Sequence, residues 1–160
     1  MKQIRIDKIA CANVDLIEPL WNALKDHHQQ RTIDYHEHYQ QSTFAVRKAE
    51  LLSKDRLAIF VAYDQQKPIG FCVVSAVDET HIHPDKPLLS ELLGELDSLY
   101  LEQAYRELGL GMSLAVKGIE WLKDINVRSI RLSVGQGNER VISFYRKLGF
   151  RERSITMQLF

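Results

Sequence analysis

One stretch, residues 95–123, constrains the fold of this 160-residue chain more than any other. It begins with alternating apolar residues, passes through a turn that contains Gly109 and Gly111, and ends as an amphipathic run. The order strand, turn, helix leaves the first four amides of the helix without partners, and the helix dipole makes that end partially positive. Glycines let a bulky ligand approach the backbone closely. The stretch therefore predicts a binding site for a phosphate-bearing ligand at the start of the helix.

Two common phosphate-binding motifs do not fit these glycines. A P-loop requires a Lys directly after its last glycine, where this chain has Met112. The dinucleotide-binding fingerprint requires Gly or Ala at the position of Leu114. A third pattern, Arg/Gln-x-x-Gly-x-Gly/Ala, is matched without gaps by Arg106, Gly109 and Gly111.

The third pattern resembles the acetyl-CoA-binding motif of the GNAT superfamily of N-acetyltransferases. Leu101 ends the predicted strand five residues before Arg106, as the family pattern expects. Asn138 and the segment 144–150 are similar to the family's second cofactor segment, and the two segments stand in the family's order. Residues 1–90 are compatible with the family but carry no signature of it.

The resemblance implies an α/β fold with a mixed, mostly antiparallel central sheet, a V-shaped splay at the central strand, and helices on both faces. Residues 1–160 are expected to form a single N-acetyltransferase domain. The implied activity is direct transfer of an acetyl group from acetyl-CoA to a primary amine of a small molecule, peptide or protein, without a metal. Two alternatives stay open: an enzyme that uses a longer acyl-CoA, and a non-catalytic CoA-binding sensory or interaction module.

The resemblance also places the cofactor along the central strand and the glycine corner. Main-chain groups near the end of the strand would pair with the pantetheine arm and polarise the thioester, while the corner amides bind the pyrophosphate. Arg106 either contacts phosphate or holds the turn. The expected cofactor-binding residues are Leu99, Tyr100, Leu101, Arg106, Glu107, Leu108, Gly109, Leu110, Gly111, Met112, Asn138 and Tyr145.

Acetyl transfer needs an acid for the leaving thiolate and an acceptor for the proton of the amine. The resemblance makes Tyr145 the general acid, and a phenol with a pKa near 10 is protonated at neutral pH. Tyr145 also belongs to an apolar stripe within residues 141–148 that is typical of a core. Glu95 is the candidate base, Asp97 has the same side-chain parity and can substitute, and Glu102 ranks lower.

The acceptor site is expected beside the first helix, because in the family the region after that helix leans over it. His27, Tyr35 and Asp97 are the predicted substrate residues. Acidic side chains before and along the central strand would attract a cationic acceptor, although a solvated acidic loop is the alternative. The histidine pairs 36/38 and 81/83 lack a nearby third ligand, so no metal site is predicted.

Composition excludes several classes of protein. Lys plus Arg equals Asp plus Glu at 21 each, so no overall positive field would hold nucleic acid or an anionic membrane. Without a secretory leader or a long apolar run, a reduced cytoplasmic setting is the default. Cys11 and Cys72 are expected to lie away from the site, which disfavours a covalent acetyl-enzyme. Oligomeric state is open, and the resemblance is compatible with a homodimer.

Hydrophobic periodicity and turn residues predict the remaining elements. Asn13 is predicted to cap a helix that Pro19 bends or delays, and Gly118 predicts close packing of its helix on the sheet. This order of elements indicates a mixed sheet with helices on both faces. The predicted elements are strand 2–9, a first helix from residue 13, a weaker helix 42–53, a hairpin of strands 57–63 and 69–77, a loop 78–90, strand 95–101, helix 110–123, strand 128–134, a helix from Asn138 to a C′ glycine at Gly149, and strand 151–160.

Overall fold

The structure is a computed structural model that describes residues 3–31, 42–83, 86–135, 137–157 and 159. For residues 31, 80–83 and 86–90 the backbone alone is described. The elements in chain order are β1 (Ile4–Ile9), a 3-10 segment (Cys11–Ile17), α1 (Glu18–Arg31), α2 (Phe44–Leu52), β2 (Arg56–Asp64), β3 (Lys67–His83), β4 (Lys86–Leu101), a 3-10 turn (Gln103–Tyr105), α3 (Leu110–Asp124), β5 (Ser129–Arg131) and α4 (Glu139–Lys147).

The five strands form one mixed sheet in the order β1-β2-β3-β4-β5. The first four strands pair antiparallel, and β5 runs parallel to β4. One apolar core packs α1 and α2 on one face, and a second core packs α3 and α4 on the other. The predicted α/β architecture is therefore confirmed.

Close packing of α3 on the sheet is confirmed at Gly118. A Cβ at this position would lie 2.7 Å from Val74 Cγ1 and 3.1 Å from Cys72 Sγ. Only a residue without a side chain lets this helix approach β3 so closely.

The central strand β4 changes partners along its length. It pairs with β5 only at Leu93–Glu95 and then separates from it, which produces the expected V-shaped splay. Its pairing with β3 has a bulge at Asp97, because Val73 pairs with Ser98 and Val74 pairs with Leu96. The strand is thus irregular at the point where the splay begins.

Two predicted segments are wrong in the structure. Residues 78–90 were expected to be a loop, but β3 continues to His83 and β4 begins at Lys86. Backbone pairing across this long hairpin decides the structure despite weak periodicity, and Pro87 lies where the pairing is irregular. Residues 151–160 were expected to be a strand, yet 151–157 and 159 are exposed and belong to no strand. Alternation alone does not make a strand when no neighbour pairs with it.

The first helix also begins later than predicted. Asn13 lies inside the 3-10 segment and has non-helical angles, φ −96° and ψ 18°. Pro19 lies in the first turn of α1, where its missing N–H leaves no helical hydrogen bond unmade. The expected delay by Pro19 is therefore confirmed, whereas the cap at Asn13 is wrong.

The other predicted elements are confirmed with small shifts in their bounds. Thr43 caps α2 by accepting a hydrogen bond from Val46 N at 3.4 Å. Gly149 ends α4 with φ +95°, and the bond from Phe150 N to Tyr145 O completes a Schellman motif. The predicted strand 128–134 is paired only at Ser129–Arg131. Within the described residues, none of the helices has the length and hydropathy needed to cross a bilayer.

Candidate active site

An open cleft of about 1050 Å³ lies where β4 and β5 separate. Residues 96–101 of β4 line one side, and residues 133–135 together with α4 line the other. Residues of the glycine corner line one part of the cleft, and side chains of α1 and α2 line another part, the predicted acceptor end. The splay of the sheet thus connects a predicted phosphate site to a predicted acceptor site.

The glycine corner presents free backbone to this cleft. Gly109 has φ +78° and a Cβ there would meet no atom within 4 Å, while Glu107 also has a left-handed φ of +68°. The amides of Leu110, Gly111 and Met112 donate to no backbone carbonyl of the described residues. A helix start of this kind has the geometry and the dipole of an anion site.

Arg106 lies between the strand and the corner. Its Nε donates to Leu101 O at 2.9 Å, and its guanidinium lies 5.6 Å from the centre of the Tyr100 ring. These contacts hold the turn against the end of β4. They favour the holding role over direct phosphate contact.

Tyr145 lines the cleft from α4. Its ring makes edge contacts with Phe144 at 5.2 Å and with Phe150 at 5.7 Å between ring centres. Burial, and to a smaller extent the nearby Cys72 thiol, raises the pKa of Tyr145 above its ordinary value. The phenol therefore stays protonated at neutral pH and is available as a hydrogen-bond or proton donor.

Cys72 does not line the cleft, but it belongs to the same core cluster as Tyr145. Face alternation on β3 brings it under α3 and α4. The side chain is fully buried, and burial, with Asp97 as the second cause, raises the pKa of the thiol from 9.0 to about 12. A protonated, inaccessible thiol is a poor nucleophile, so direct transfer stays favoured.

The two candidate bases are both held by cations. Glu95 Oε1 accepts from Arg131 Nε at 2.8 Å, and Glu95 does not line the cleft. Burial tends to raise the pKa of Glu95, but Arg131 and Lys54 outweigh it and the pKa lies below its ordinary value. Asp97 does line the cleft and accepts from Lys54 Nζ at 2.6 Å. Glu102, ranked lower, accepts from Lys67 Nζ at 2.9 Å.

The acceptor end of the cleft contains His27 and Asp97 of the three predicted substrate residues, and Tyr35 lies outside the described part of the chain. His28 also lines this end, and burial lowers its pKa. Four of the acidic side chains expected to attract a cation are ion-paired: Asp78, Glu79, Glu95 and Asp97. Asp78 pairs with Arg56, and Glu79 with Arg131.

Most of the predicted cofactor residues line this single cleft. The exceptions are Leu108, whose surface is 64% exposed, and Leu110, which packs against the core beneath α3. Asn138 lines the cleft and precedes α4 as predicted, but its side chain makes no capping hydrogen bond. Among the residues that the structure describes, no three His, Cys, Asp or Glu side chains are grouped to hold a metal ion.

Several lining residues were not predicted. Arg47, Ser133 and Arg140 all contribute to the cleft. The break after β5 at Gly135 was a usable signal for Ser133, because the chain turns there beside the central strand. No sequence signal identified Arg47, which depends on how α2 packs.

Comparison with known proteins decides the family. The profile of the Acetyltransferase (GNAT) family matches residues 21–150, which include the glycine corner and α4. The chain belongs to this family. An uncharacterized N-acetyltransferase, MJ1207 of Methanocaldococcus jannaschii, is 29% identical to it over 105 residues, 66% of this chain and 44% of that protein. The chain spans less than half the length of the relatives that it matches by sequence.

Solved structures share the fold of this GNAT chain. A tetramutant of BH1408 from Bacillus halodurans has a TM-score of 0.76 at 20% identity, covering 97% of this chain and 98% of its own. The aminoglycoside N-acetyltransferase AAC(6')-Iy in complex with CoA has a TM-score of 0.67 at 15% identity, covering 100% of this chain and 95% of its own.

The described site fits acetyl-CoA, the co-substrate of GNAT acetyltransferases. The unpaired amides of residues 110–112 suit a diphosphate, and the unpaired side of β4 beyond Glu95 offers main-chain groups to an extended arm. A Cβ at Gly111 would approach only Phe144, at 3.7 Å, so the space in front of this residue is open.

Proposed function

We propose that this protein is an acetyl-CoA-dependent N-acetyltransferase that transfers the acetyl group directly to a primary amine. The observation that supports this most is the shared cleft. The open amides of α3, the unpaired side of β4 and the hydroxyl-bearing ring of Tyr145 all face one space. Such an arrangement can hold a phosphate, direct a thioester and protonate a leaving thiolate at once.

In this proposal the amides of residues 110–112 bind the diphosphate, and Arg106 acts indirectly by fixing the corner to Leu101. Main-chain groups at residues 99–101 bind the pantetheine arm and orient the thioester carbonyl. Preorganised donors aimed at developing negative charge are the strongest single contribution to acyl transfer. Acetyl-CoA supplies the activated acetyl group, and the protein supplies position and charge stabilisation.

Tyr145 is the proposed general acid, because its pKa is raised and its proton is retained until a thiolate forms nearby. The proton of the amine is proposed to leave through water. Glu95 is a weak candidate for the base, since it is paired with Arg131 and its pKa is lowered. Glu95→Gln is therefore expected to leave kcat near that of the unaltered protein, and a large loss of kcat at constant stability would restore Glu95 as the base.

The acceptor is proposed to be a small-molecule primary amine. Structural neighbours that are named aminoglycoside acetyltransferases support this class. Four of the acidic residues expected to attract a cation are ion-paired, so selection of the acceptor by side chains of α1 and α2 is favoured over a free acidic patch. A longer acyl-CoA and a non-catalytic CoA-binding module remain the alternatives.

One assay separates these possibilities. Thiol release from acetyl-CoA is followed with a panel of amines, using the native protein and Tyr145→Phe. Amine-dependent turnover that falls in the variant supports the proposal. Turnover with longer acyl-CoA alone would favour the first alternative, and tight CoA binding without turnover on any amine would favour the second.

We also propose that two copies associate through residues 153–159. Ile155, Met157 and Leu159 are 91%, 90% and 97% exposed, and this alternate spacing is the one that puts side chains on one face of a β-strand. β5 ends the described sheet, so its outer edge is available to such a segment.

A reduced, cytoplasmic setting is proposed as well, supported by the free thiols of Cys11 and Cys72.

A further inference from the structure

A closed polar triangle lies beneath the start of the splay. Asp97 Oδ1 accepts from Lys54 Nζ at 2.6 Å, and Asp97 Oδ2 accepts from Ser75 Oγ at 2.6 Å. Lys54 Nζ also donates to Ser75 Oγ at 3.1 Å. Each side chain of the triangle therefore contacts both others.

This triangle is withdrawn from solvent. The Asp97 side chain is 6% exposed, the Lys54 side chain is 15% exposed, and Ser75 is fully buried. A buried ion pair adds little net stability compared with apolar residues of similar size, but the loss of one member leaves an uncompensated charge. What the triangle does provide is a fixed geometry for the residues that form it.

Asp97 is also the bulged residue of β4, because it has no pairing partner on β3 between the paired residues Leu96 and Ser98. The bulge reverses which face of the sheet the odd- and even-numbered side chains of β4 occupy. After it, Leu99 and Leu101 pack against the core under α3. Tyr100 packs against Phe71 on the other face. Without the extra residue, the side chains of residues 98–101 would exchange faces. The direction in which the main-chain groups of residues 98–101 point thus depends on the bulge.

The same cluster includes a residue of α2, which lines the acceptor end of the cleft. Arg47 of α2 lines the cleft, and its Nη2 lies 3.3 Å from Ser98 Oγ and 3.9 Å from Asp97 Oδ1. Lys54 follows Ser53, the residue that caps the end of α2. Asp97 therefore links the helix at the acceptor end to the strand at the cofactor end.

We propose that Asp97 is a positioning residue for acetyl transfer. Through Ser75 and Lys54 it holds the β4 bulge, and the bulge aims the main-chain groups of residues 98–101 at the thioester. Asp97 is not proposed to bind the phosphates, whose proposed site is the glycine corner that follows the end of β4 at Leu101. This inference rests on the proposed acetyltransferase function.

The experiment compares Asp97→Ala, Asp97→Asn and the control Asp78→Ala. Asp78 is on the neighbouring strand β3 and does not line the cleft. It forms an exposed ion pair with Arg56 of β2. We expect Asp97→Ala to lower kcat about 10- to 100-fold, the range that follows from small misplacement of reacting groups. CoA affinity should fall much less than kcat, because the glycine corner proposed to bind the diphosphate is untouched. Asp97→Asn keeps the shape of the side chain and is expected to recover part of kcat.

A readout that does not depend on turnover accompanies the kinetics. Hydrogen–deuterium exchange of the amides in residues 96–101 is expected to accelerate in Asp97→Ala and to stay unchanged in Asp78→Ala. If Asp97→Ala does not fold, Ser75→Ala removes one hydrogen bond of the triangle and should show the same changes to a smaller degree.

The outcomes separate the two proposals. Unaltered kcat together with unaltered exchange in Asp97→Ala would overturn the positioning role. A loss of CoA affinity equal to the loss of kcat would also overturn it, because that pattern marks general structural damage. No turnover by the native protein on any amine would refute the proposed function, and accelerated exchange in Asp97→Ala would then still support the control of the bulge by Asp97.

Discussion

Tyr145 packs between two aromatic residues, because its ring makes edge contacts with the rings of Phe144 and Phe150. The ring and its hydroxyl have separate roles in this arrangement. The ring fills space between α4 and the sheet, whereas the hydroxyl is the group that the chemistry needs. A substitution that keeps the ring can therefore distinguish packing from catalysis.

Tyr145→Phe is expected to lower kcat about 100-fold, a value typical for the loss of a general acid. The free energy of unfolding and the affinity for CoA should change little, because the ring contacts remain. Steady-state kinetics, urea denaturation and calorimetric titration with CoA measure these three quantities. A kcat close to that of the native protein would remove Tyr145 from the mechanism.

The Cys72 thiol makes stability depend on alkaline pH. Burial raises its folded-state pKa from 9.0 to about 12, so the folded state keeps a proton that the unfolded chain releases. The contribution is fully present below pH 9 and is lost as the pH rises toward 12, at up to about 1.4 kcal/mol per pH unit. Urea unfolding between pH 8 and 10 should show a shallower decline for Cys72→Ala than for the native protein.

The matched control for Cys72→Ala is Cys11→Ala, which removes the other, partly exposed thiol. Its decline with pH should follow that of the native protein. If the free energy of unfolding fell with pH at the same rate in all three proteins, the burial of Cys72 would not make stability depend on pH. Retained kcat in Cys72→Ala would in addition support direct transfer.

At the scale of elements, the two glycines of α3 have different roles. Gly118 faces the sheet, where a Cβ would lie 2.7 Å from Val74, while Gly111 faces the cleft beside Phe144. Both lie on the same helix and differ in what stands before them. One position limits packing and the other limits access to the ligand.

Gly118→Ala is expected to lower the free energy of unfolding by about 1–2 kcal/mol, because overpacking outweighs the better helix propensity of Ala. Gly111→Ala should leave stability intact and weaken CoA binding about tenfold, or 1.4 kcal/mol, by blocking close approach to the backbone. Urea denaturation and calorimetric titration of both variants test this pair. An exchange of the two effects would contradict the assigned orientation of α3.

At the scale of the whole molecule, residues 151–159 have the pattern of a strand but no partner within the described chain. Large exposed apolar side chains in regular alternation are an association hazard unless another chain covers them. Light scattering of the native protein is expected to give twice the chain mass of 18.5 kDa. The triple variant Ile155→Ser, Met157→Ser, Leu159→Ser should give the mass of one chain.

The control for this triple variant is Val46→Ser, which removes an exposed apolar side chain from α2, where the residue is 63% exposed. It should leave the mass of the native assembly unchanged. A native protein with the mass of a single chain would refute the association, and so would a triple variant that keeps the assembly.

The sequence by itself determined the elements whose information is local. Gly109, Gly111 and Arg106 specified the helix start, the β2–β3 hairpin followed from its apolar runs and turn, and Gly149 specified the end of α4, because backbone sterics and unpaired amides are properties of neighbouring residues. Tertiary structure alone decided the bulge at Asp97, the long arms of β3 and β4, and the position of Cys72 near Tyr145. These features depend on pairing register and face alternation between segments that lie far apart in the chain, and an insertion of one residue in one strand reverses every side chain beyond it.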